Sequence, residues 1–173
     1  MKFVNLCSDD ANNVCKLFMF PNTIDHDRFL ENIVYYAYNV DDNFWEPISA
    51  GFINKKRCYG RSESLDMDSH PETDTELYLQ QLEQTMKYIV ANMAGDDNEL
   101  IFTFPNSITH IDFFENLCHM RIGSDRNWKR VPWTIISAGF MSSSHTCYGR
   151  SESLNIDSRL EVDTKLFESG FWS

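Results

Sequence analysis

Arg61 and Arg150 carry the most suggestive chemistry in this chain. Arg61 lies in Cys58-Tyr59-Gly60-Arg61-Ser62-Glu63-Ser64-Leu65, and Arg150 in an identical run, Cys147-Tyr148-Gly149-Arg150-Ser151-Glu152-Ser153-Leu154. A guanidinium offers a planar fork of donors to a phosphate or carboxylate, serine hydroxyls add donors, and a tyrosine ring can stack on a base. The ligand-binding candidates are therefore Tyr59, Arg61, Ser62, Ser64, Tyr148, Arg150, Ser151 and Ser153, with a nucleotide-like or other anionic small molecule as ligand. Arg159, in Asp157-Ser158-Arg159-Leu160-Glu161-Val162-Asp163-Thr164, is positioned in sequence to close the second site, where the first copy has His70. In an extended strand Tyr59, Arg61, Glu63 and Leu65 share one face, and Cys58, Gly60, Ser62 and Ser64 the other. The same residues also suit a purely structural corner, with Arg61 pairing Glu63, Gly60 marking a bulge and small serines letting a helix lie on the sheet.

Catalysis finds less support. There is no Gly-x-Ser-x-Gly elbow, no histidine is matched between the copies, and phosphate-loop and dinucleotide fingerprints are missing. No catalytic residue is assigned, and a hydrolase or transferase acting on a nucleotide would have to use Ser151 and Glu152. Five cysteines without CxxC spacing predict reduced, partly buried thiols. Cys118-His119 and His145 near Cys147 come nearest to a metal pattern, and neither metal nor cofactor is expected.

Charge narrows the partners. Fifteen Lys and Arg against 26 Asp and Glu give a net charge of −11, which argues against direct nucleic-acid binding because phosphate contacts need a basic face. The acid either serves solubility or meets a basic partner. No apolar run approaches the roughly 18 residues of a membrane helix, so a cytoplasmic protein without membrane contact is expected.

Positioning these residues falls to an internal repeat. Phe20-Pro21-Asn22-Thr23-Ile24 matches Phe104-Pro105-Asn106-Ser107-Ile108, Ile48-Ser49-Ala50-Gly51-Phe52 matches Ile136-Ser137-Ala138-Gly139-Phe140, and Asp74-Thr75 matches Asp163-Thr164. Each unit reads as βαββα. The strands are 14–20 and 100–104. Helices capped by Asn22 or Thr23, and by Asn106 or Ser107, follow, with Ile24, Phe29, Ile33 and Tyr36 or Ile108, Phe113, Leu117 and Met120 on their apolar faces. Hairpins come next, and then a helix capped by Asp74 or Asp163. The first of these helices is expected to run through Leu77, Tyr78, Leu82, Met86, Ile89, Val90 and Met93 to Gly95. The fold class is thus α+β, a tandem duplication with an antiparallel or mixed sheet covered by helices and a ferredoxin-like βαββαβ order in its first part. Residues 1–97 form the first unit, with an N-terminal strand, and 98–173 the second, with a truncated last helix. The two make one pseudo-symmetric domain, monomeric or homodimeric.

At Gly149-Arg150-Ser151-Glu152-Ser153-Leu154 followed by Asp157-Ser158-Arg159-Leu160-Glu161-Val162-Asp163-Thr164-Lys165-Leu166-Phe167, the chain resembles small accessory proteins of tailed bacteriophages. That resemblance implies a factor in host takeover or counter-defence within the host cytoplasm. Such a factor would be a non-enzymatic binding protein that sequesters a nucleotide-like signal or blocks a host defence protein. An acidic decoy that mimics nucleic acid and inhibits a host enzyme is the alternative, predicting steep salt dependence.

Overall fold

The computed structural model describes residues 1–8, 14–31, 45–93, 95–117 and 132–170. Runs of large apolar side chains broken by Pro-Asn, Gly and Asp-Ser turns set the strands. In the first half these are β1 (Lys2–Ser8), β2 (Cys15–Phe20), β3 (Trp45–Asn54), β4 (Arg57–Tyr59), β5 (Arg61–Ser62) and β6 (Met67–Asp68). Helix α1 occupies 26–31 between β2 and β3, and α2 (Pro71–Glu83) closes the half. The second half runs β7 (Met86–Met93), β8 (Leu100–Phe104), α3 (His110–Leu117), β9 (Trp133–Met141), β10 (Cys147–Tyr148), β11 (Arg150–Ser151), β12 (Ile156–Asp157) and α4 (Leu160–Ser169).

Eight strands form one antiparallel sheet in the order β10-β9-β7-β8-β2-β1-β3-β4, and β5-β6 and β11-β12 form two small ribbons. The halves join where β2 meets β8, at Met19 opposite Thr103. With each strand matched to its counterpart, the order reads the same from either edge. Both halves also shift register at equivalent points, between Asn5 and Leu6 against β3 and between Val90 and Ala91 against β9.

Alternation along the strands sorts side chains to two cores. One face carries Val4, Phe18, Phe20, Ile89, Phe102 and Phe104 against Phe29 of α1 and Phe113 of α3. Phe20 stacks on Phe29 at 4.0 Å and Phe104 on Phe113 at 4.1 Å. The other face carries Phe3, Leu17, Met19, Tyr88, Val90 and Ile101 against Tyr78 and Leu82 of α2 and Phe167 of α4. Each such side chain contributes roughly 2 kcal/mol by leaving water. On this second face, Lys56 Nζ in the β3–β4 turn donates to the Ser143 carbonyl in the β9–β10 turn, at 3.3 Å. Hairpins on opposite edges therefore come within side-chain reach of each other.

Four expectations need correction. The helix expected from Asp74 to Gly95 ends at Glu83, Thr85 takes φ +67°, and Met86–Met93 is a strand. Met86, Tyr88, Ile89, Val90 and Ala91 are all fully buried. A central strand covered on both faces produces an unbroken apolar run, which mimics helical periodicity over a short window. Each half therefore opens on two strands before its helix, so the expected βαββα unit lacks one strand. The helices after Pro21-Asn22 and Pro105-Asn106 start later than expected. Ile24 and Ile108 N–H groups first bond back to the Pro21 and Pro105 carbonyls, and Thr109 Oγ1 then accepts from Asp112 N at 3.2 Å. Asp74 and Asp163 do cap helices, but from inside the first turn rather than ahead of it.

Fourth, Cys7 and Cys15 are not reduced thiols. They stand directly opposite on β1 and β2 and form a disulfide, a proximity that pairing register creates and that a spacing of eight does not announce. Cys58 and Cys147 are free and buried. Cys118, His119, Ile33, Tyr36, Met120, Phe171 and Trp172 lie outside the described residues. Among the described residues no helix is long and apolar enough to cross a membrane.

Candidate functional site

The duplicated octapeptide does not make a continuous strand. It is a corner, broken at Gly60 (φ +84°) and Gly149 (φ +82°), conformations that favour glycine. Past the break the chain forms the β5-β6 or β11-β12 ribbon, whose turn places Asp66 and Asn155 at φ +52° and +55°, a region those residues tolerate. Ser62 and Ser151 are buried, and their hydroxyls accept from Leu65 N and Leu154 N, both at 3.3 Å. The corner folds tightly over the preceding strand. A methyl group on Gly51 would lie 2.5 Å from the Tyr59 carbonyl, and one on Gly139 2.5 Å from that of Tyr148. This explains why Ser-Ala-Gly-Phe is kept with the octapeptide.

The arginines close the same corner. Arg61 bonds Asp66 and, at 3.2 Å, Asp68; Arg150 bonds Asn155 and, at 3.1 Å, Asp157. Asp66 and Asp68, rather than Glu63, are therefore the carboxylates that pair with Arg61. Tyr59 and Tyr148 project outward, 46% and 38% exposed, each tilted against the preceding strand's Phe52 or Phe140 at 6.1 Å. The expected face alternation holds for Cys58 and Tyr59 and for Arg61 and Ser62, then fails in the turn, where Ser64 is exposed.

Asp-Thr, the second repeated pair, ties each corner to its helix. Cys58 N donates to Thr75 Oγ1 at 2.9 Å and Cys147 N to Thr164 Oγ1 at 3.0 Å. These bonds occupy outward-facing donors of the two edge strands, which protects an edge from pairing with another chain. Asp74 and Asp163 are fully buried and accept from the backbone N–H of His70 and Arg159 at 2.7 and 2.8 Å. Asp74 also accepts from Ser49 Oγ at 2.6 Å and Asn5 Nδ2 at 3.1 Å. Asp163 accepts from Tyr88 OH at 2.8 Å and from the guanidinium of Arg159. That guanidinium also forks onto Glu99 at 2.9 and 2.7 Å, so Arg159 clamps the β7–β8 hairpin to α4 and stands in a different network from Arg150. Burial, reinforced by the nearby aspartate, pushes each of the Cys58 and Cys147 thiols up to about 12, leaving them protonated and poor nucleophiles.

The first corner opens onto a cleft. Beside the first octapeptide lies a hollow of about 520 Å³ walled by Arg61, Glu63 and Ser64 from the corner, Phe52 from β3, Lys2 from β1, and Asp25 with His26 at the start of α1. Lys2 Nζ donates to the Ile24 carbonyl at 2.8 Å and lies 3.6 Å from Asp25. Ser64 Oγ accepts from Asp27 N at 3.3 Å, docking the corner on α1. Of the residues expected to bind a ligand, Arg61 and Ser64 line this cleft. Ser62 is turned into its own turn, and Tyr148, Arg150, Ser151 and Ser153 belong to the matching corner at the other edge.

His26 is the residue that sequence reasoning missed. Its Nε2 donates to the Gly51 carbonyl at 3.0 Å, and His110 repeats the bond to Gly139 at 2.8 Å. The expectation that the copies share no histidine is therefore corrected, and the signal was present: the Phe-Pro-Asn match extends two residues further, to Asp25-His26 and Thr109-His110. Each ring packs edge-on between two phenylalanines, Phe20 and Phe52 or Phe104 and Phe140. Burial holds both imidazoles below their usual range, so they are neutral at pH 7. Because a carbonyl only accepts, Nε2 carries the proton in both rings. Among the described residues there is no group of three or more His, Cys, Asp or Glu able to hold a metal. Comparison with protein-family models, curated proteins and solved structures returns no match for this chain.

Proposed function

We propose that the chain is a non-enzymatic binding protein whose first-half cleft takes a small molecule bearing an acidic group and a flat or apolar body, the nucleotide-like class among them. The observation that carries this is the 520 Å³ cleft itself, which gathers Lys2 and Arg61 as cations, Ser64 as a hydroxyl and Phe52 as an aromatic wall. A hollow of this size is within the range that small ligands occupy, and its lining is mostly polar, with Phe52 as the apolar wall. The serines that a nucleophile would need support binding over turnover, since Ser62 and Ser151 are engaged as turn caps. In the finer form of this reading the chain is a tandem duplication in which both copies hold the corner and the first holds this cleft. The biological role that goes with it is sequestration of a host signal by a phage protein acting in the host cytoplasm.

Titrating the full chain with AMP, an aromatic amino acid and inorganic phosphate, while following backbone amide shifts, tests the reading. Saturable shifts at Lys2 and Ser64 that vanish in Arg61→Ala and persist in Arg150→Ala are expected. If no compound shifts cleft amides up to about 1 mM, an affinity of only some −4 kcal/mol, the cleft is not a binding site.

A further inference from the structure

The charges around the cleft say more about its ligand than the arginine alone. Lys2 and Arg61 face it, but so do Asp25 and Glu63, two of each sign. Both cations already have partners. Lys2 lies against Asp25, and Arg61 is held by Asp66 and Asp68. A polyphosphate entering here would bring several negative charges to a lining whose two cations are balanced by two carboxylates, an arrangement that disfavours it against a ligand of no net charge. The histidine adds a second constraint. His26 is 3% exposed and fixed by the Gly51 carbonyl through Nε2. A neutral imidazole has one N–H, and here the Gly51 carbonyl takes it, so the ring has no donor to give a phosphate oxygen.

We propose that the cleft selects a small zwitterion of the amino-acid type, its acidic group toward Lys2 and Arg61, its ammonium toward Asp25 and Glu63, and its apolar body on Phe52. This rests on the binding reading above and narrows it. An aromatic amino acid fits within 520 Å³ with room for water, and Phe52, partly exposed and packed edge-on against His26 at 5.8 Å, gives it a rigid wall.

Calorimetric titration of the full chain with L-phenylalanine, its N-acetyl form, its carboxamide and AMP separates the possibilities. L-phenylalanine should bind at least about tenfold more tightly than either blocked form and than AMP, a difference of one decade in Kd. Asp25→Asn and, as an independent variant, Glu63→Gln should weaken L-phenylalanine and its amide while leaving the N-acetyl form unchanged. Both side chains are exposed, so thermal melts of these variants should match the parent. Tighter binding of AMP or of the N-acetyl form, lost in Arg61→Gln, would overturn the zwitterion and leave the anion-binding cleft standing. No heat and no shift with any of the four would remove both.

Discussion

Asp74 and Asp163 are both fully buried at the start of equivalent helices, and they are held by different means. The first half supplies neutral donors, Ser49 and Asn5; the second supplies a phenol, Tyr88, and a charge, Arg159, which is itself balanced by Glu99. The backbone bond to residue 70 or 159 is the same in both. A buried carboxylate must have donors, but the chemistry does not dictate which side chains provide them. The far ends of the hairpins diverge in the same way. In the first half Cys7 and Cys15 staple β1 to β2, whereas the second, beyond Ala91 opposite Leu100, carries Asn92 and Glu99, and Glu99 reaches Arg159 instead. One half is fastened covalently within its hairpin, and the other by an ion pair to its helix. Where backbone meets backbone there is no such latitude. Gly51 and Gly139 each lie beneath a carbonyl that a methyl group would strike, and these corners have kept their letters.

Three experiments would sharpen or break this comparison. Arg159→Ala leaves Asp163 and Glu99 without their cation and should cost about 3 kcal/mol, against about 1 kcal/mol for Asn5→Ala, which removes one neutral donor. Urea unfolding measures both, and equal losses would mean that the charge in the second half adds nothing. Reducing the Cys7–Cys15 bond should lower stability by about 2.5 kcal/mol from the loop it closes. A melt with and without reductant shows this in the parent and no change in a Cys7→Ser, Cys15→Ser variant.

The smallest effect concerns acid. His145, in the β9–β10 turn, bonds Tyr78 OH at 2.7 Å and packs on Phe167. Burial, aided by Lys56, lowers it from 6.5 to about 4. A depressed histidine is neutral when folded while the unfolded chain takes up a proton, so its contribution is complete above about pH 6.5 and is lost as pH falls toward 4. At pH 5 the loss is about 2 kcal/mol, and His145→Gln should flatten that limb. The first half has Lys55 and Lys56 at its turn, so a limb that persists in His145→Gln would assign the acid sensitivity to His26 and His110.

Much of the fold was legible before any coordinates. The hairpins, the strands at 14–20 and 100–104, the glycine punctuation and the paired Asp-Thr follow from local patterns that act within a few residues. Strand β7 did not, because a segment buried on both faces loses the alternation that marks a strand. The site was half legible. Arg61 and Ser64 were found through the repeat, but Lys2, Asp25 and His26 are brought to them from up to about 60 residues away by β1 lying beside β3 and by α1 crossing that face.

By itself the sequence determined that two corners would be alike, since glycine at positive φ, serine capping a turn and threonine bonding the next strand are local demands. Only the tertiary structure decided what those corners do. Pairing β1 with β2 set Cys7 against Cys15, and packing α1 beside the first corner brought Asp25 and a neutral histidine to the cleft that Arg61 and Glu63 line. Contacts between distant segments depend on register and packing, and no single segment encodes either.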